Sequence, residues 1–120
     1  MILVVDDHLD TGAALARLLR MCGHEAVAVA SGAAALEFIE ATRPSVMVMD
    51  TMMPQMHGLE VLRRMRDDPR LRDIPVIIYS ADDRFDVARQ ARDLGAKEFI
   101  VKGTVSWEQL CVTIARHAAA

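Results

Sequence analysis

Five short apolar runs, each followed by an amphipathic stretch, constrain this chain more than any other feature. The runs are Ile2–Val5 (β1), Ala26–Val29 (β2), Val46–Met49 (β3), Val76–Tyr79 (β4) and Glu98–Val101 (β5). Each has strand length, and several are rich in Val and Ile. Most are nearly continuous in apolar residues, as strands buried on both faces of a parallel sheet must be. Between them, apolar residues recur at helical spacing: Leu15, Leu18, Leu19 and Cys22; Gly58, Val61, Leu62 and Met65; Trp107, Leu110, Cys111 and Ile114. Shorter sets, Ala35, Leu36 and Ile39, then Val87, Ala91 and Leu94, mark two more helices. Asp10 or Thr11 reads as the start of the first helix and Ser31 as the start of the second, while Gly23 and Gly95 read as stops. The alternation predicts an α/β fold, (βα) repeated five times. Right-handed crossovers then place helices on both faces of a doubly wound parallel sheet.

Composition limits what such a fold can do. The 120 residues are expected to form one domain spanning 1–120, with no room for a separate DNA-binding or catalytic unit. A hydrophobic content of 52% with a net charge of -3 excludes a disordered chain. That charge, with a pI near 5.7, argues against direct nucleic-acid binding. No apolar run approaches the roughly 20 residues of a membrane span, so no membrane partner is expected. Met1–Val5 lacks the basic flank of a signal peptide. Cys22 and Cys111 make no disulfide framework and read as buried thiols on helical stripes, which fits a cytoplasmic location.

In open α/β sheets the chemistry sits beyond the carboxyl ends of the strands. There the sequence places Asp6-Asp7 after β1, Asp50-Thr51 after β3, Ser80-Ala81 after β4 and Lys102-Gly103 after β5. Singly, each residue is an ordinary turn or cap residue. Together they bring three carboxylates, a hydroxyl and an ammonium to one edge. Clustered carboxylates repel unless a cation offsets them, and Mg2+ prefers a few carboxylate oxygens completed by water and phosphate. Lys102, the Ser80 hydroxyl and backbone N–H groups could neutralise a phosphoryl group on a carboxylate, which is itself a competent nucleophile.

With these residues the chain resembles a response-regulator receiver domain of two-component phosphorelay signalling. The resemblance rests on Val4-Val5-Asp6-Asp7-His8, on the block from Asp50-Thr51-Met52-Met53-Pro54 to His57-Gly58, on Ile74 to Ala81, on Leu94-Gly95-Ala96 and on Phe99-Ile100-Val101-Lys102. It implies a flavodoxin-like strand order 2-1-3-4-5. It implies Asp50 as phospho-acceptor from a sensor histidine kinase or phosphotransfer protein. Asp6, Asp7, Asp50 and the backbone carbonyl of Met52 would hold Mg2+. Lys102, Ser80 and the Ala81 N–H would bind the phosphoryl group, with Ser80 and Phe99 as the switch. The readout face would be the fourth helix, fifth strand and fifth helix, contacting a downstream output protein or pairing into a homodimer. Such a chain is not an enzyme on other substrates; it catalyses only its own phosphorylation and dephosphorylation.

One departure stands out: the lysine is followed by Gly103 rather than by the family's cis proline. A non-proline cis bond costs about 2.5–4 kcal/mol, so a trans Lys102–Gly103 peptide is expected. The departure leaves a degenerate receiver, binding partners independently of phosphorylation, as the alternative. A dehalogenase-like phosphatase lacks its second Asp at Met52, and a flavin protein conflicts with the acidic loop after β1.

The remaining features read blandly. Met47, Met49, Met52, Met53 and Met56 read as core and motif residues rather than a Cu(I) site. His8, His24, His57 and His117 read as surface or cap residues, and Arg63, Arg64, Arg66, Arg70 and Arg72 as a solvated stretch. Trp107 is expected to pack the fifth helix on the sheet. With no output domain in reach, the signal is expected to pass by protein contact, whether the chain is a stand-alone regulator or was cut near Ala118-Ala119-Ala120.

Overall fold

The structure, a computed structural model, describes residues 1–118. Its strands are Ile2–Val5, Ala26–Val29, Val46–Met49, Val76–Ser80 and Glu98–Val101, all paired in parallel in the order β2-β1-β3-β4-β5. The helices are α1 (Leu9–Met21), α2 (Gly32–Ala41), α3 (Gly58–Asp67), α4 (Phe85–Asp93) and α5 (Trp107–Ala118). The predicted class and strand order are those observed. β4 runs one residue further than the apolar run, so Ser80 closes the strand.

The period of two along each strand divides the core into two layers. Leu3, Val5, Met47, Met49, Val76 and Ile78 meet α2, α3 and α4 through Ala35, Ile39, Val61, Leu62, Met65, Val87 and Ala91. Ile2, Val4, Val46, Val48, Ile77 and Tyr79 meet α1 and α5 through Leu15, Leu19, Leu110, Cys111 and Ile114. The central strands β1, β3 and β4 are buried throughout, whereas the edge strands β2 and β5 are only partly buried. Met47 and Met49 are core residues, which accounts for their place in the methionine cluster.

Several local expectations are corrected. The first helix begins at Leu9, ahead of Asp10 and Thr11, because Asp6 Oδ1 accepts the His8 N–H at 2.9 Å and turns the chain into the helix early. Cys22 is exposed. The helix ends at Met21, and Gly23 in the left-handed region (φ +92°) turns the chain away, so the stripe that periodicity continues to Cys22 has no face left there. Cys111 is buried, and burial together with the neighbouring Cys22 thiol pushes its own thiol up to about 11. Arg66 is not a solvated side chain: it donates to the Leu94 carbonyl at 2.6 Å, to Gly95 at 3.3 Å and to Arg72, fastening α3 to the turn before β5. His117 is half-buried and pairs with Glu98 of β5 at 2.9 Å. Ser31 caps α2 as expected, accepting the Ala34 N–H at 3.0 Å.

Candidate functional site

Strand parity and register assemble the site. Asp6 continues the Ile2–Val4 face of β1, Asp50 the Val46–Val48 face of β3, and Lys102 the Ile100 face of β5. β1 and β3 are in register from Ile2 and Val46, and the Asp50 N–H continues the ladder onto the Val5 carbonyl at 2.9 Å. The Lys102 N–H donates to the Ser80 carbonyl at 2.7 Å, extending the β4–β5 ladder in the same way. All three side chains therefore project from the same end and the same face of the sheet.

Lys102 Nζ donates to Asp6 Oδ2 at 2.9 Å and to Asp50 Oδ2 at 3.0 Å. Both aspartates are buried, at 5% and 7% exposure. The other oxygen of each is also engaged: Asp6 Oδ1 by the His8 N–H, Asp50 Oδ1 by the Met52 N–H at 3.0 Å. Asp7 is half-buried beside them, and Asp6, Asp7 and Asp50 offer carboxylate oxygens within 4.8 Å of one another. Burial alone would lower the Lys102 pKa; the hydrogen bonds to Asp6 and Asp50 and their charges outweigh it and hold the ammonium above its ordinary value. Three hard oxygen donors at this spacing suit a hard divalent cation and no soft one.

The loop from Asp50 to Gly58 fixes the backbone of Asp50. The Met53 N–H donates to the Thr51 carbonyl at 3.0 Å, as does the Gly58 N–H at 2.9 Å, and Gln55 adopts φ +68°. A Cβ on Gly58 would lie 2.2 Å from the Asp50 carbonyl oxygen, so only glycine permits this closure. His57 is the cap residue of α3, its Nδ1 accepting the Leu59 N–H at 3.1 Å. The exposed Met52 presents its side chain to solvent, so only its backbone reaches inward.

Ser80 is completely buried and its hydroxyl is 2.7 Å from that of Thr51, while also accepting the Asp82 N–H at 3.1 Å. Ala81 follows at the exposed end of β4. Phe99 is half-buried and packs on the core layer beneath α2, α3 and α4. The Lys102–Gly103 peptide is trans, and Gly103 takes φ +87°. Trp107 is 47% exposed and pairs with Tyr79 of the sheet, edge to face.

Three residues here escaped the sequence reading. Thr51 partners Ser80 across the strand ends; its place directly after Asp50 was the available signal. Asp82 is buried and held by Arg84 at 2.7 Å, which depresses its carboxyl to about 2 through side-chain and backbone hydrogen bonds; the Asp-x-Arg spacing was the clue. Tyr79 lies with its ring centroid 5.6 Å from Lys102 Nζ, and no local pattern predicts that contact.

The family model described as the response regulator receiver domain matches residues 2–115. The two-component response regulator ORR3 of Oryza sativa subsp. indica is 32% identical over 102 residues, covering 84% of this chain and 78% of its own length. The response regulator MprA of Mycobacterium ulcerans is 36% identical over 101 residues; the match takes in 84% of this chain but 43% of that protein. Among solved structures, the signal receiver domain of a signal transduction histidine kinase from Syntrophus aciditrophicus superposes with a TM-score of 0.88 at 29% identity, covering 98% of this chain and 89% of that one. Sheet order, acidic cluster and these matches agree: the chain belongs to the response regulator receiver domain family of two-component signalling.

Proposed function

We propose that this receiver takes a phosphoryl group from a phosphohistidine of a sensor kinase or phosphotransfer protein onto Asp50, and passes the change to an output partner. A single observation carries the reading: one ammonium, on Lys102, bonds two buried carboxylates while a third, Asp7, stands beside them. In the transfer an Asp50 carboxylate oxygen attacks phosphorus, the P–O bond forms, the P–N bond breaks, and the imidazole leaves with its electron pair. Lys102 then trades its carboxylate partner for a phosphoryl oxygen. The Met52 N–H holds the other Asp50 oxygen still during attack. Asp6, Asp7, Asp50 and the Met52 carbonyl are the groups that would hold Mg2+, which when bound supplies charge neutralisation to the transferring group. Ser80, released from Thr51, and the Ala81 N–H would bind the phosphoryl group, and Phe99 would follow. The readout would then reach the face of α4, β5 and α5, where an output protein or a second copy of the chain could dock.

The test uses beryllofluoride, an acyl-phosphate mimic, with Mg2+, read by backbone amide shifts. Shifts spreading from Asp50 through Ser80 to β5 are expected, and Asp50→Asn removes them. An unchanged spectrum in the wild type would favour the second reading, a partner-binding module that ignores phosphorylation. That reading draws on Gly103, left-handed at φ +87°, in the place after Lys102. Asp7→Asn is expected to weaken Mg2+ binding by at least the roughly tenfold that losing an outer-shell partner costs; calorimetry showing unchanged affinity would take Asp7 out of the metal shell.

A further inference from the structure

Tyr79 lies one residue before the end of β4, opposite Ile100 of β5, on the α1 and α5 side of the sheet. Its ring meets two groups. Lys102 Nζ lies over it, 5.6 Å from the centroid. The Trp107 indole meets it edge-on, with centroids 6.4 Å apart and planes at 61°. Both separations fall where the ring's quadrupole acts, within about 6 Å for a cation and about 4.5–7 Å for an aromatic pair. Tyr79 is 8% exposed and belongs to the core layer beneath α1 and α5. Burial also raises its hydroxyl pKa, against the pull of the Lys102 charge, so the ring offers the ammonium a neutral face.

The backbone after Lys102 closes a tight turn, the Val101 carbonyl accepting the Thr104 N–H at 3.2 Å and the Thr104 hydroxyl at 2.6 Å, with Gly103 at φ +87°. The turn fixes where the lysine leaves the strand; its side chain is aimed by Asp6, by Asp50 and by the ring beside it. A phosphoryl group on Asp50 carries about 1.5–2 negative charges in place of the carboxylate's one and sets them further from the strand end, which draws the lysine forward along the face of the ring. Trp107, the ring's other neighbour, opens α5 and is half exposed.

We infer that Tyr79 is a positioning residue for Lys102, and that its ring passes the lysine's displacement to Trp107 at the exposed head of α5. The inference rests on the reading of Asp50 as acceptor. It adds a second route from site to surface, separate from Ser80 and Phe99.

Trp107 is the chain's one tryptophan, so its emission reports this place alone. Protein in Mg2+ is titrated with beryllofluoride, recording Trp107 emission and the fluorine NMR signal of bound fluoride together. The wild type is expected to show both signals rising in step. Tyr79→Phe, which keeps the ring, retains both. Tyr79→Leu retains bound fluoride, at weaker affinity, and loses the emission change. Bound fluoride with silent emission in the wild type would overturn the relay and leave the acceptor reading standing. So would a full emission change in Tyr79→Leu. No bound fluoride in the wild type overturns both readings. If the leucine variant does not fold, the paired wild-type signals and Tyr79→Phe decide.

Discussion

Asp6 and Asp50 are both buried, and like charges that close repel each other unless a cation offsets them. Lys102 does so from within the chain, which makes it counter-ion in the resting protein and phosphoryl ligand in the proposed reaction. A different balance operates at Asp82. Its carboxyl, bound by Arg84, titrates near 2 against an ordinary 3.8. A depressed folded pKa stabilises the fold above the unfolded value, and that contribution disappears as pH falls through the folded one. Asp82→Asn should therefore cost stability at neutral pH, with the gap to wild type closing between about pH 4 and pH 2. Urea unfolding across that range checks it; a constant gap would mean the aspartate acts through packing alone.

Among the elements, the turn from β3 into α3 shows how little slack the site has. Gly58 starts α3 against the Asp50 carbonyl, with no volume for a methyl group. Gly58→Ala is expected to destabilise by about 1–3 kcal/mol or more, as overpacking does, and to displace Asp50, weakening beryllofluoride binding as well. A variant of wild-type stability would show that the turn can open without penalty. The strands and the aspartates at their ends were legible because burial on both faces writes itself as Val and Ile runs, and the fold puts chemistry after such runs. The start of α1 was not, because the His8 N–H is taken by Asp6, a contact of side chain and loop rather than of helical pattern. Cys22 was misread because periodicity says where a stripe points and not where the helix stops. The bonds of Ser80 to Thr51 and of Arg66 to Leu94 join residues 29 and 28 positions apart. They follow from the register between elements, which no single stretch of sequence contains.

For the whole molecule, the order β2-β1-β3-β4-β5 gives the acids and the lysine different standing. Asp6 and Asp50 follow strands flanked on both sides, while Lys102 follows an edge strand paired only with β4 and half-buried along its length. Regions with fewer buried contacts open at lower free energy than the core. Hydrogen exchange is therefore expected to release the amides of β5 well before those of β1 and β3, and equal protection would show that the sheet opens as one unit. In the proposed reaction, such an opening would part Lys102 from Asp6 and Asp50 while β1 and β3 stay paired, so the domain would lose its phosphoryl ligand at one margin without unfolding.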